Sequence, residues 1–169
     1  MKSLMEIANH KDVLASIINR YDSFELTEES IKDIHKDLMS DEIAWEVDFK
    51  PHLVGEYRNI PTIGYREPMF PNKEYVPHFN LPIALAFFHN IFLNKLHPFA
   101  DGNGRVCRII MGTMLMKNNC PPIFVKITSD EDRIEYITTI IRCENEGNDM
   151  PVVEFLANGM SDYMEEMLK

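Results

Sequence analysis

The chain has 169 residues and carries 17 Lys+Arg against 27 Asp+Glu, a net charge of −10. That acidity excludes a general nucleic-acid binder, which needs a basic face, and no apolar stretch is long enough to span a bilayer as a helix. A hydrophobic fraction of 45% and a charged fraction of 26% are ordinary for a globular protein, and the length suits one compact domain with a core of its own.

The N-terminus carries charge at Lys2, Glu6, Lys11 and Asp12 and does not read as a signal peptide. Ser3 and Glu6 have capping-box spacing, and Leu4, Ile7, Leu14, Ile17, Ile18 and Tyr21 follow as a helical stripe. A second helix is predicted over residues 25–39, with Thr27 as its cap and Leu26, Ile31, Ile34 and Leu38 inward. Residues 43–49 are apolar and hold the only tryptophan, Trp45, read as core. The segment from Gly55 to Asn59 leads into residues 60–71, whose Pro, Gly and β-branched content is that of a hairpin or loop. Residues 80–96 are apolar on nearly every side and predict a central buried helix that delivers His97 at its end.

Beyond residue 108 an apolar helical pattern continues through Ile109, Ile110, Met114 and Leu115, until Asn118-Asn119-Cys120-Pro121-Pro122 stops it. Ser129 to Asp132 caps the next helix, which carries Ile134, Ile137, Ile140 and Ile141. A turn at residues 145–149 precedes a last helix opened by Pro151. Three well-spaced cysteines, Cys107, Cys120 and Cys143, fit a reducing compartment, so a soluble cytoplasmic protein is the expectation. Cys107 is read as small helix filler, not as a nucleophile.

The chemistry concentrates in residues 97–108, His-Pro-Phe-Ala-Asp-Gly-Asn-Gly-Arg-Val-Cys-Arg. Physically this is a tight loop feeding a helix N-terminus, where free N–H groups and the helix dipole attract anions. Gly102 and Gly104 let the backbone turn sharply and approach a phosphate. Arg105 and Arg108, three apart, present planar forks suited to phosphate oxygens. His97 supplies an imidazole, the side chain most often used as a general base. Asp101 is a hard oxygen ligand suited to Mg²⁺ carried by a nucleotide. These are the parts of a phosphoryl-type transfer site, in which the protein positions and neutralises. Each residue also has a plain reading: Asp101 as a helix cap, Gly-Asn-Gly as a turn, the arginines as solvated surface charge. Their joint occurrence in this order is far less ordinary. A zinc site is disfavoured, because Pro98 and Gly102 spoil any regular helical face between His97 and Asp101.

Residues 97–108 also resemble the Fic motif, His-Pro-Phe-x-(Asp/Glu)-Gly-Asn-Gly-Arg-x-x-Arg, at every defining position. The resemblance implies an AMP-transferase of the Fic/Doc family, using Mg-ATP as donor and a protein Ser, Thr or Tyr hydroxyl as acceptor, with pyrophosphate leaving. It implies that His97 is the general base and that Asp101 holds Mg²⁺. Gly102, Asn103 and Gly104 would form the anion hole, and Arg105 and Arg108 would hold the β/γ-phosphates. Phe99 would anchor the loop in the core. The Gly-x-(Tyr/Phe)-Arg segment at residues 55–58 resembles the family too. It implies a β-hairpin flap at about residues 60–69 that docks the target through Thr62, Ile63, Gly64 and Tyr65. Family members often carry a His seven residues, and an aromatic four, before the motif histidine. Here His89 is eight before and Phe92 five, so one extra residue is expected near residues 93–95 as a bulge. The gap between flap and motif is short for the family, as though one helix were truncated. The family's inhibitory pattern, (Ser/Thr)-x-x-x-Glu-(Gly/Asn), has its nearest match at Ser161 and Glu165, where Glu166 replaces the final Gly or Asn. It would pair Glu165 with Arg108, against the plain reading of a solvated acidic helix end.

The expectation is therefore an all-α Fic-type bundle of about seven helices with a small flap. It forms a single domain over residues 1–169, with a core at about 31–156 and a C-terminal helix at 157–169. The expected partners are a target protein, a separate inhibitor protein and a second copy of the chain, with no nucleic acid and no membrane. Another phosphate-containing donor, for UMP or phosphocholine transfer, stays open, as does a binding module without transfer. Transfer of a γ-phosphate is disfavoured, since the Doc branch has a bulky residue where Gly104 stands.

Overall fold

Helix α4 (Asn103–Lys117) runs through the centre of the fold, and almost every side chain from Val106 to Leu115 is buried. The structure, a computed structural model, describes residues 2–39, 53–58, 81–122 and 129–169. Around α4 are packed α1 (Lys2–Ile18), α2 (Glu28–Met39) and α3 (Leu81–Asn90), while α5 (Asp130–Glu146) and α6 (Met150–Met167) form an outer layer, α6 lying chiefly on α3. The described residues contain six α-helices and no strand, so the bundle is all-α as expected. The flap, with Thr62, Ile63, Gly64 and Tyr65, and the stretch around Trp45 lie outside the described residues.

Local chemistry accounts for the helix ends. Thr27 caps α2 reciprocally with Ser30: Ser30 N–H donates to Thr27 Oγ1 at 3.1 Å, and Thr27 N–H donates to Ser30 Oγ at 2.9 Å. The helix therefore starts at Glu28, three residues later than predicted, and Leu26 is left outside it and exposed. Helix α4 ends in a Schellman turn. Asn119 takes the left-handed conformation (φ 58°), its N–H donates to Met116 O, and Cys120 N–H donates to Leu115 O, both at 3.0 Å. The predicted capping box of α5 is present at Ser129 and Asp132.

Three expectations are corrected. Helix α1 begins at Lys2, so Ser3 is not its cap; among its described side chains Asn9, Val13 and Ile17 are buried and Leu14 packs against the core, which bears out Leu14 and Ile17, while Ile7 (65% exposed) and Ile18 (51%) face out. The α1 residues facing α2 and α4 include polar Asn9, which no apolar stripe could flag. On α5, Ile134, Ile137 and Ile141 are exposed, and Cys143 is the buried residue. Helix α6 runs unbroken from Met150 to Met167, so the expected boundary after Leu156 falls inside one helix.

The extra residue in the central helix is absorbed as expected. After Asn90 the chain widens into a π-helical segment, Ile91–Leu96, closed by His97 N–H donating to Phe92 O at 2.9 Å. Lys95, within it, pairs with Asp149 at the start of α6 at 2.8 Å, with both side chains largely buried, which ties the segment to the outer layer.

Candidate active site

The motif loop leaves the π-helical segment through His97, which adopts the left-handed conformation (φ 41°, ψ 59°). For a residue with a Cβ this costs about 1–2 kcal/mol, and neighbouring groups hold it. Arg58, from the Gly-Glu-Tyr-Arg segment, donates from Nη2 to Leu96 O at 2.9 Å and from Nε to His97 O, and its own N–H donates to Pro98 O at 2.8 Å. One arginine thus caps the carbonyls of a helix end while its backbone ties down the next residue.

The His97 ring is exposed, and its Nδ1 lies 2.9 Å from Leu93 O. A carbonyl only accepts, so Nδ1 carries the hydrogen and Nε2 keeps its lone pair. Leu93 O is available for a reason. In an α-helix His97 N–H would donate to it; in the π register that N–H goes to Phe92 O, and Pro98, next in line, has no N–H.

The loop beyond is clamped from inside. Phe99 is fully buried, which contributes roughly 2–3 kcal/mol, and stacks on His35 of α2 with ring centroids 3.8 Å apart and planes 5° off parallel. His35, itself fully buried, accepts from Gly55 N–H at Nδ1 (2.9 Å), so its Nε2 carries the hydrogen and donates to Asp101 O (3.1 Å). The Asn103 side chain bridges back to Phe99, accepting from Phe99 N–H at 2.9 Å and donating to Phe99 O at 2.8 Å. Gly102 (φ 77°) lies against α2, where a Cβ would stand 3.1 Å from Met39 Sδ and 3.3 Å from His35 Cδ2.

The helix N-terminus follows. Arg105 and Val106 N–H both donate to Gly102 O at 3.0 Å, and Gly102 N–H donates to Asp101 Oδ1 at 2.6 Å. Among the described residues, the amides of Asn103 and Gly104 are left over. At Gly104 a Cβ would sit 3.3 Å from Arg108 Nη1, so this glycine lets the second arginine fold back over the helix start. Arg105 reaches Met39 Sδ at 3.3 Å. Desolvation, and then the charge of Arg105, lower the Arg108 guanidinium from its usual value, though arginine remains charged in any protein setting. Both arginines open into a groove of about 750 Å³ against α1, lined also by His10, Lys11, Leu14 and Ile18.

The structure thus brings His97, Asp101, Gly102, Asn103, Gly104, Arg105 and Arg108 to one end of α4. Cys107 points into the core, and burial pushes its thiol up to about 12, so it is inert filler. Glu165 is exposed and Ser161 half-buried on α6, and no ion pair joins Glu165 to Arg108 among the described residues. No group of metal-ligating side chains forms a site of its own among the described residues. Sequence reasoning missed His35, since the inward stripe reads Leu26, Ile31, Ile34 and Leu38 and a lone histidine between them carries no signal. It also left Arg58 and His10 without roles. Only for Arg58 was there a signal, its place in a recognisable segment.

A profile of the Fic/DOC family matches residues 25–115, from the entry to α2 almost to the end of α4. Among curated relatives, protein adenylyltransferase Fic of Nematostella vectensis is 34% identical over 76 residues, covering 45% of this chain and 17% of its own length. The protein of the same name from Drosophila erecta is 29% identical over 163 residues, covering 88% of this chain and 30% of its own length. The chain thus spans less than a third of these relatives. Fic-1 from C. elegans shares the fold with a TM-score of 0.68 at 20% identity, over 99% of this chain and 52% of the other. A Fic-domain signalling protein from Bacteroides thetaiotaomicron does so at 0.67 and 20%, over 97% and 71%. With more than half its length matched by the family profile and its fold shared across nearly all of it, the chain belongs to the Fic/DOC family.

Proposed function

We propose that the protein transfers AMP from ATP to a hydroxyl of a target protein. The observation that carries the reading is the state of His97. Its Nδ1–H is committed to Leu93 O, so Nε2 is a base on an exposed ring, beside a helix N-terminus flanked by two arginines. In the proposed step the target hydroxyl oxygen bonds to the α-phosphorus as its proton passes to His97 Nε2. The bond from that phosphorus to the β-phosphate oxygen breaks, and pyrophosphate leaves. Arg105 and Arg108 neutralise the departing charge, and the Asn103 and Gly104 amides face the phosphates.

Asp101 fits the Mg²⁺ that accompanies ATP. It is exposed and spends only Oδ1 on Gly102 N–H, and one carboxylate plus phosphate oxygens is a common Mg²⁺ shell. When bound, the ion offsets charge on the phosphates. The target, its acceptor residue and the docking role of the flap belong to the same proposal, as does a cytoplasmic setting. Among the described residues, no helix is long and apolar enough to cross a membrane.

The test is incubation with α-labelled ATP, γ-labelled ATP or α-labelled UTP in the presence of cell lysate. Protein label from α-ATP that disappears in His97→Ala supports the reading. Label from γ-ATP would make the protein a kinase, label from UTP would change the donor, and no label from any would leave a binding module.

A further inference from the structure

Helix α1 lies ahead of the residues that the family profile matches, yet it forms one wall of the groove into which the motif arginines open. His10 stands in that wall with Lys11 beside it, and Arg105 and Arg108 line the same groove from α4. The position of His10 is fixed by packing. Helix α1 lies on both α2 and α4, and neighbouring Asn9 is buried, its side-chain amide donating to Leu38 O at 3.3 Å.

The two ring nitrogens of His10 differ. Nδ1 is sealed from solvent without a hydrogen-bond partner among the described residues, whereas Nε2 is not sealed. A buried N–H without an acceptor is the more costly arrangement, so the hydrogen belongs on Nε2. Burial first, then the charges of Arg108 and Arg105, lower the His10 pKa, and the ring is a neutral donor at pH 7. Among the described residues, the polar lining is thus one N–H donor, two guanidinium groups and one ammonium, set against apolar Ile7, Leu14, Ala15 and Ile18, with no carboxylate. Such a set suits an anion of several charges with oxygens on more than one side, as in linked phosphates.

We infer that His10 is a third arm of the polyphosphate site, donating its Nε2–H to the phosphate pair that leaves in the transfer. Helix α1 is then part of the binding site and not only a scaffold. The identity of the bound phosphates rests on the AMP-transfer reading; the anion site itself rests on the groove.

The test measures calorimetric affinity of the full chain for inorganic pyrophosphate and, separately, for AMP. His10→Phe keeps the ring volume and removes the donor, and should weaken pyrophosphate roughly tenfold. His10→Gln, whose amide nitrogen reaches to the same distance, should stay within about twofold of the parent. AMP affinity should be the same in all three. An unchanged pyrophosphate affinity in His10→Phe overturns the inference, as does an equal loss for pyrophosphate and AMP, or failure of His10→Gln to restore binding. Absence of pyrophosphate binding by the parent chain overturns it too, whatever the labelling result. Pyrophosphate binding of the expected pattern without AMP transfer would reject the function and leave the groove assignment standing.

Discussion

His35 is where fold and site meet, and His35→Phe isolates its polar role. Phenylalanine keeps the ring that stacks on Phe99 but neither accepts from Gly55 N–H nor donates to Asp101 O. Gly55 is buried, so its stranded N–H costs roughly 1–3 kcal/mol. Asp101 lies at the surface, where water replaces the lost donor, and that loss is about 0.5–1 kcal/mol. The expected total is roughly 1.5–4 kcal/mol, a sizeable share of the 5–15 kcal/mol typical of a domain. The loop carrying Asp101 also loses its tether to α2, and misplacement by about 1 Å can cost 100-fold in rate. Urea denaturation followed by circular dichroism reads the first effect. The rate of protein labelling from α-labelled ATP at saturating donor reads the second. A stability loss below about 1 kcal/mol, or a full loss of stability with the rate untouched, refutes the reasoning.

Gly102→Ala places a Cβ at φ 77° against the Met39 sulfur and the His35 ring; the sulfur can yield, the stacked ring cannot, and a loss of about 1–3 kcal/mol is expected as a lowered Tm. Pro98→Ala restores an N–H that competes for Leu93 O, so kcat should fall several-fold while the urea midpoint barely moves; an unchanged kcat would count against the assigned role of that carbonyl. His89 is buried, and desolvation first, then Arg108, lower its pKa to about 4. The unfolded chain therefore takes up this proton below 6.5 and the folded chain only near 4, so stability is full above pH 6.5 and falls as pH drops towards 4. Removing the imidazole in His89→Leu should make the loss between pH 7 and 4.5 smaller by roughly 2–3 kcal/mol, read from paired urea titrations.

The helices that bury a continuous apolar face were legible from the sequence. Val106, Ile109, Ile110 and Leu115 could be read as core from spacing alone, and the stop around Asn119 and the cap at Ser129 could be read too, because caps and turns are local chemistry. The outward isoleucines of α1 and α5 were not. Periodicity shows that a helix has an apolar face, but only the neighbours decide whether that face is covered, and both helices lie at the periphery. The site was legible where its residues are contiguous, from His97 to Arg108. His35, Arg58 and His10 come from segments 39 to 98 positions away from the motif residues they serve. Each is a single polar residue whose role exists only after folding.

The spacing of the central helix links sequence to chemistry most directly. One additional residue between His89 and His97 would push His97 off its line in a regular helix, by about 100° of rotation. The chain absorbs it as a π-helical segment instead. The wider register moves the His97 N–H to Phe92 O, and Pro98 contributes no N–H, so Leu93 O is left without a backbone donor. The imidazole takes that vacancy with Nδ1–H, which fixes both the ring plane and the nitrogen that stays basic. Arg58 then caps the carbonyls of Leu96 and His97 that the widened helix leaves open, and this holds the left-handed turn from which the loop departs. An insertion that would ordinarily weaken a helix thus sets the tautomer of the proposed base.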